Sequence, residues 1–166
     1  MTFVEESARY LRDVYLPRMR RAVETLPESD LWWRPHEGIT SVGNLLLHLE
    51  GNVRQWIVCG LGGAPDARDR GAEFAAREGA PKADLLRELE RTVGEACAVI
   101  EAEADLDRAF DCQGIETTVL GAVYHVVEHF GWHTGQVVWI AKLRAGARHG
   151  IAFYDDAKLN AKLNDA

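Results

Sequence analysis

Four stretches of this sequence repeat apolar residues with a helical period, and clusters of Pro and Gly separate them. Few folds other than a packed set of helices satisfy that pattern. The first stretch runs from about Phe3 to Thr25, with Tyr10, Val14 and Met19 among its inward residues, and ends before Leu26-Pro27-Glu28-Ser29. Pro17 lies inside it and is expected to kink or split the helix, because its ring removes a donor and crowds the preceding turn. The loop WWRPHEGITS follows, and Thr40 or Ser41 is suited to cap a second helix from about Val42 to Val58. Residues 60–81 hold five glycines and two prolines and form a long connection, a kind of segment that often carries function. A third helix spans about Lys82 to Glu103, with Leu85, Leu86, Leu89, Val93, Cys97 and Ile100 inward. A polar stretch at 105–117, extended in part, precedes a fourth helix from about Thr118 to Leu143. A short C-terminal helix is expected at Asp155 to Asn164. The expected class is all-α: a four-helix bundle with a long connection between helices 2 and 3.

At 166 residues the chain has room for one well-buried core, so residues 1–166 are read as a single domain. Its longest apolar runs fall far short of the roughly 20 residues of a membrane span, and the N-terminus has no apolar secretory core. The cytoplasm is the expected location. A net charge of −7 disfavours nucleic acid and anionic membrane surfaces as partners. Cys59, Cys97 and Cys112 are odd in number and widely spaced, so they read as ordinary thiols rather than a disulfide framework or a zinc site.

The run HVVEHFGWHTGQ at 125–136 places three histidines at four-residue steps, and His48 stands alone in the apolar second helix. Residues four apart share a helical face. With His125 at 0° on a helical wheel, His129 falls near 40° and His133 near 80°, beside the apolar stripe, and His48 sits at the edge of its own. Packing the two helices together would bring His48 toward His129 and His133. Any one of them could simply be a core histidine satisfied by neighbouring groups. Three neutral imidazoles converging without a cation would, however, leave acceptors facing acceptors, at about 1 to 3 kcal/mol per unsatisfied group. Three imidazoles match the ligand set of an open divalent site, with zinc the first choice for redox inertness and nickel the second. Asn52 and Gln136 face the same neighbourhood and could orient the ligands or a substrate, or could simply be polar residues at a packing rim, whereas His125 points away from the stripe and suits a structural or supporting role better than coordination. Glu50 and Glu128 point elsewhere and make poor general bases.

These histidines stand in the stretches WWRPHEGITSVGNLLLHLEGNVRQW, RDRGAEF and YHVVEHFGWHTGQVVWI, and in those contexts the sequence resembles the DinB/YfiT-like superfamily of small bacterial four-helix proteins. The resemblance implies that His48, His129 and His133 bind a divalent ion, often nickel or zinc, with water completing the shell. It also implies a bundle that commonly forms a homodimer. The superfamily includes transferases and isomerases that use low-molecular-weight thiols, and the subgroup this chain most resembles is uncharacterised. Thr134 stands where several relatives carry arginine.

Gly131 and Gly135, flanked by Trp132 and Trp139, could form a dimer seam or a close packing face within the bundle. Trp32 and Trp33 read as a staple over the core, with a pocket wall as the other option. Arg68 and Arg70 could grip an anionic group, although Asp66, Asp69 and Glu73 nearby favour local salt bridges. The function expected is that of a metal-dependent enzyme whose ion activates a thiol or water for transfer or hydrolysis on a small-molecule substrate. The alternatives are a non-catalytic metal-binding or stress-response bundle and a plain interaction bundle without metal.

Overall fold

Thr2 starts the first rod by a reciprocal cap: its hydroxyl accepts from the Glu5 amide at 3.3 Å, and its own amide donates to the Glu5 carboxylate at 2.7 Å. In the computed structural model, which describes residues 1–154, this rod comprises α1 (Phe3–Arg9), a π-helical segment at Tyr10–Tyr15 and α2 (Leu16–Glu24). Pro17 therefore does not split the helix as expected. The wider π turn ahead of it bonds each amide one residue further back, as the Leu16 amide does to the Leu11 carbonyl, and so relieves the ring's clash and missing donor. Ser41, not Thr40, caps the second rod, which is α3 (Val42–Val53) continued by a π-helical segment at Arg54–Leu61. That rod extends past its expected end at Val58.

The long connection contains a short helix of its own, α4 (Arg70–Ala75). The third rod is α5 (Lys82–Ala102) and the fourth is α6 (Val119–Ala145), both near their expected limits. Between them residues 105–117 do more than extend. Strands β1 (Ala109–Cys112) and β2 (Ile115–Thr118) pair antiparallel, so the chain is mostly helical rather than all-α. The hairpin forms because Gln113 and Gly114 both take positive φ, 60° and 74°, the mirror-image turn whose twist matches paired strands. The C-terminal helix expected at Asp155–Asn164 lies outside the described residues.

The first and second rods both pack on α5 and α6, around one continuous cluster of buried side chains that includes Leu11, Met19, Leu49, Ile57, Leu89 and Phe130. Each such side chain is worth about 1.5 to 3 kcal/mol once removed from water. The three cysteines are buried and unpaired, and burial pushes the Cys97 thiol up to about 11, in keeping with inert packing thiols. No helix among the described residues is long and apolar enough to cross a membrane.

Trp32 closes one end of this core. Its ring lies flat on the first turn of α3, so a Cβ on Gly43 would come within 2.8 Å of the indole, and on its other side it meets Gly79. Trp32 is thus the staple, whereas Trp33 walls a cleft with the Arg144 guanidinium 4.5 Å over its ring. Gly43→Ala should lower stability by about 1 to 3 kcal/mol despite alanine's better helix propensity, because the indole must shift. Denaturant midpoints of the two proteins test this, and an equally or more stable variant would contradict it.

Candidate metal centre

The i, i+4 spacing on α6 sets His129 and His133 on one face, with ring centroids 4.4 Å apart, and α3 brings His48 against both. The Nε2 atom of His129 lies 3.1 Å from Nε2 of His48 and 3.1 Å from Nε2 of His133. Ligand atoms of the three residues all fall within 4.8 Å of one another, so the group can hold a metal ion. Metal–nitrogen bonds near 2.0 to 2.1 Å place neighbouring nitrogens roughly 3 Å apart. A hydrogen-bonded imidazole pair has a similar separation, so the tautomers must decide between the two.

The tautomers follow from the outer nitrogens. His48 Nδ1 is 2.9 Å from Glu73 Oε2 and therefore donates to that carboxylate. The Arg68 Nη2 group, 3.1 Å from the same Nδ1, is a second donor aimed at the shared acceptor, Glu73 Oε2, which it reaches at 2.9 Å. His133 Nδ1 donates to Gln136 Oε1 at 2.6 Å. Both Nε2 atoms are left as lone pairs pointing at His129, whose single proton can serve only one of them. His129 Nδ1 is itself buried with no partner. A cation at the meeting point removes the conflict, since it takes three lone pairs and leaves the His129 proton on Nδ1. The donor set therefore fits a metal ion that accepts nitrogen ligands.

The carboxylate that fixes His48 comes from α4, and several residues conspire to place it. Glu73 is buried, with its carboxylate gripped by Arg68 through Nε at 2.6 Å and Nη2 at 2.9 Å. The buried Asn44 amide binds the Glu73 carbonyl at 2.7 Å and the Ala76 carbonyl at 2.9 Å, which pins α4 to the start of α3. Gly51 faces the carboxylate across α3, and a Cβ there would overlap Glu73 and Arg68. Burial alone would raise the Glu73 carboxyl, but the hydrogen bonds from His48 and Arg68 outweigh it and hold the group below its usual range. Glu73 had been visible in the sequence only as a salt-bridge partner for the local arginines. Twenty-five residues separate it from His48, and no helical period links them.

Two of the remaining expected site residues, Asn52 and His125, line a cavity of about 190 Å³ that reaches His48 and His129. Asn52 is buried in its wall, and its Oδ1 has no partner. His125 also lines it, its ring tilted against Trp56 at 4.4 Å and stacked on His129 at 5.4 Å, and it is not one of the three converging ligands. Gln136 holds His133 from the other side, where it borders a larger apolar cleft of about 600 Å³ lined by Trp33, Trp132 and Trp139. That cleft touches none of the three histidines, so the smaller cavity is the one with access to the site. Glu50 is engaged by Arg54 and Thr92. Thr134 is buried and bonds back to the Phe130 carbonyl at 2.7 Å, away from the centre. Gly131 lets Tyr15 of the first rod approach closely, while Gly135 faces open space.

Burial, with smaller contributions from the neighbouring imidazoles, pushes His129 down from the usual 6.5 to about 3, and burial lowers His125 and His133 as well. The unfolded chain then binds more protons than the native one below about 6.5, so native stability rises with pH and is lost as pH falls through that value toward about 3. The metal-free protein should therefore be measurably less stable to denaturant at pH 5 than at pH 7.5, and His129→Asn should reduce the difference. A pH-independent midpoint across that window would contradict the burial of neutral imidazole.

A family model described as a protein of unknown function, DUF1572, matches residues 2–150. No curated protein matches the chain.

Proposed function

Because this chain belongs to the DUF1572 family, whose function is unknown, we propose a function from its own geometry: a metal-dependent enzyme acting on a small molecule, with one divalent ion held by His48, His129 and His133. The observation that carries the reading is the convergence of three Nε2 atoms at 3.1 Å contacts, with two of the three proton positions fixed by Glu73 and Gln136. When bound, the ion supplies a Lewis acid that acidifies a coordinated nucleophile or polarises a carbonyl. Three neutral ligands leave its charge undiminished, which suits that role better than an anionic shell.

The chain's own groups prepare the site. Glu73 holds the His48 ring by its Nδ1–H and raises the basicity of Nε2, as carboxylates do for ligating histidines. Gln136 does the same, more weakly, for His133. The two buried side-chain atoms without partners among the described residues are one acceptor, Asn52 Oδ1, and one donor once the site is loaded, His129 Nδ1. The two make no hydrogen bond to each other, so Asn52 Oδ1 stands as an acceptor in the cavity wall. His125, packed on Trp56 instead of completing the shell, supports a site with a position open toward the cavity. Imidazole ligands favour zinc or nickel. The resemblance to the DinB/YfiT-like superfamily, carried by the same histidines, points in the same direction and adds a four-helix-bundle architecture and a low-molecular-weight thiol as candidate nucleophile.

Elemental analysis after exposure to zinc and nickel should find one ion per chain, lost in His48→Ala and His129→Ala. A wild-type protein without stoichiometric metal would overturn the proposal. Glu73→Gln and Gly51→Ala keep every ligand yet should weaken metal affinity about 10- to 100-fold, since each disturbs the carboxylate behind His48. Competition with a chromophoric chelator measures this, and unchanged affinity in both would remove Glu73 from the site.

A further inference from the structure

Arginines in this acidic chain are almost all committed. Of those whose side chains are described, thirteen donate hydrogen bonds to a carboxylate, hydroxyl, amide or carbonyl within the protein. Arg70 is the exception among the described residues. It is exposed at the outer end of the cavity that reaches His48 and His129. One face of its guanidinium rests 4.9 Å over the Phe74 ring, and that ring lies 4.6 Å from the His48 ring. The stack holds the fork in place and leaves its five N–H donors unspent.

The nearby acids do not compete for it. Asp69 caps α4 through the Ala72 amide at 2.9 Å, Asp66 accepts from Gln55 and from the Arg68 amide, and the Glu73 charge is offset by Arg68. The charged residues that line the cavity are Arg68, whose charge Glu73 offsets, and Arg70, whereas Asp66 and Asp69 are not part of its lining. Between Arg70 and the histidines its walls are the Trp56 indole, Ile115 and the unpartnered amide oxygen of Asn52. A cavity of about 190 Å³ admits a compact molecule of one ring or a short chain.

We propose that this cavity binds a small organic molecule through an oxyanion, a carboxylate or a phosphate, gripped by the Arg70 guanidinium, with its apolar body between Trp56 and Ile115. The proposal rests on the metal-centre reading for what lies at the molecule's other end and deepens it by naming the substrate class. Of the two arginines first suspected as anion holders, Arg68 is occupied by Glu73 and Arg70 alone is available.

Isothermal titration of zinc-loaded and metal-free protein with benzoate, phenyl phosphate and the neutral isostere benzamide tests it. At least one of the anions should bind about tenfold tighter than benzamide in both forms, as a charge-assisted pair provides. The stronger of benzoate and phenyl phosphate identifies the oxyanion. Arg70→Gln should abolish the preference without changing benzamide binding or metal content, and Arg70→Lys should restore part of it. The proposal is overturned if no probe binds, or if Arg70→Gln retains the preference. A preference that survives in Arg70→Gln but disappears with the zinc places the oxyanion on the ion, which overturns this proposal and leaves the metal centre standing. An Arg70-dependent preference in a protein that holds no metal does the reverse.

Discussion

A buried carboxylate organises this molecule's chemistry. Glu73 sits out of water between a guanidinium and an imidazole, and an anion in that position is tolerable only while both partners remain. The requirement reaches outward. Arg68 must stay folded against α3, the α3 backbone must be bare at Gly51 to admit the pair, and Asn44 must hold the end of α4. The chain between the second and third rods is thereby fastened to the helix that carries His48.

The rods were legible because helical periodicity is a local signal repeated over many residues. Lys82–Ala102 and Val119–Ala145 fell within two residues of expectation at each end for that reason. The hairpin at Ala109–Thr118 was legible only as a partly extended stretch, since four-residue strands carry too few alternations to declare themselves. Pro17 could be read only as a kink or a split, because its effect depends on the turn before it: the rod is not split, and a π turn accommodates the ring.

The converging histidines could be read from spacing plus one long-range guess, and the structure brings those three together. Asn52 and Gln136 were placed by the same wheels. Glu73 and the division of labour between Arg68 and Arg70 were beyond reach. Both depend on how a glycine- and proline-rich connection folds back on a helix, and no period in the sequence encodes that. What distinguishes the two arginines is tertiary: one points inward to a carboxylate, the other lies on an aromatic ring facing solvent.

The π-helical stretch at Arg54–Leu61 bears on how this architecture tolerates insertion and deletion. A π turn amounts to one surplus residue carried in a helix, and it turns everything downstream by about 100° relative to an uninterrupted α frame. Trp56 and Gln55, which meet His125 and Arg68, are presented from inside that surplus. Removing a single residue there would preserve the rod and its length almost unchanged while swinging the indole off its imidazole, so this helix has a reading frame of its own, and the chemistry beside it depends on that frame being kept.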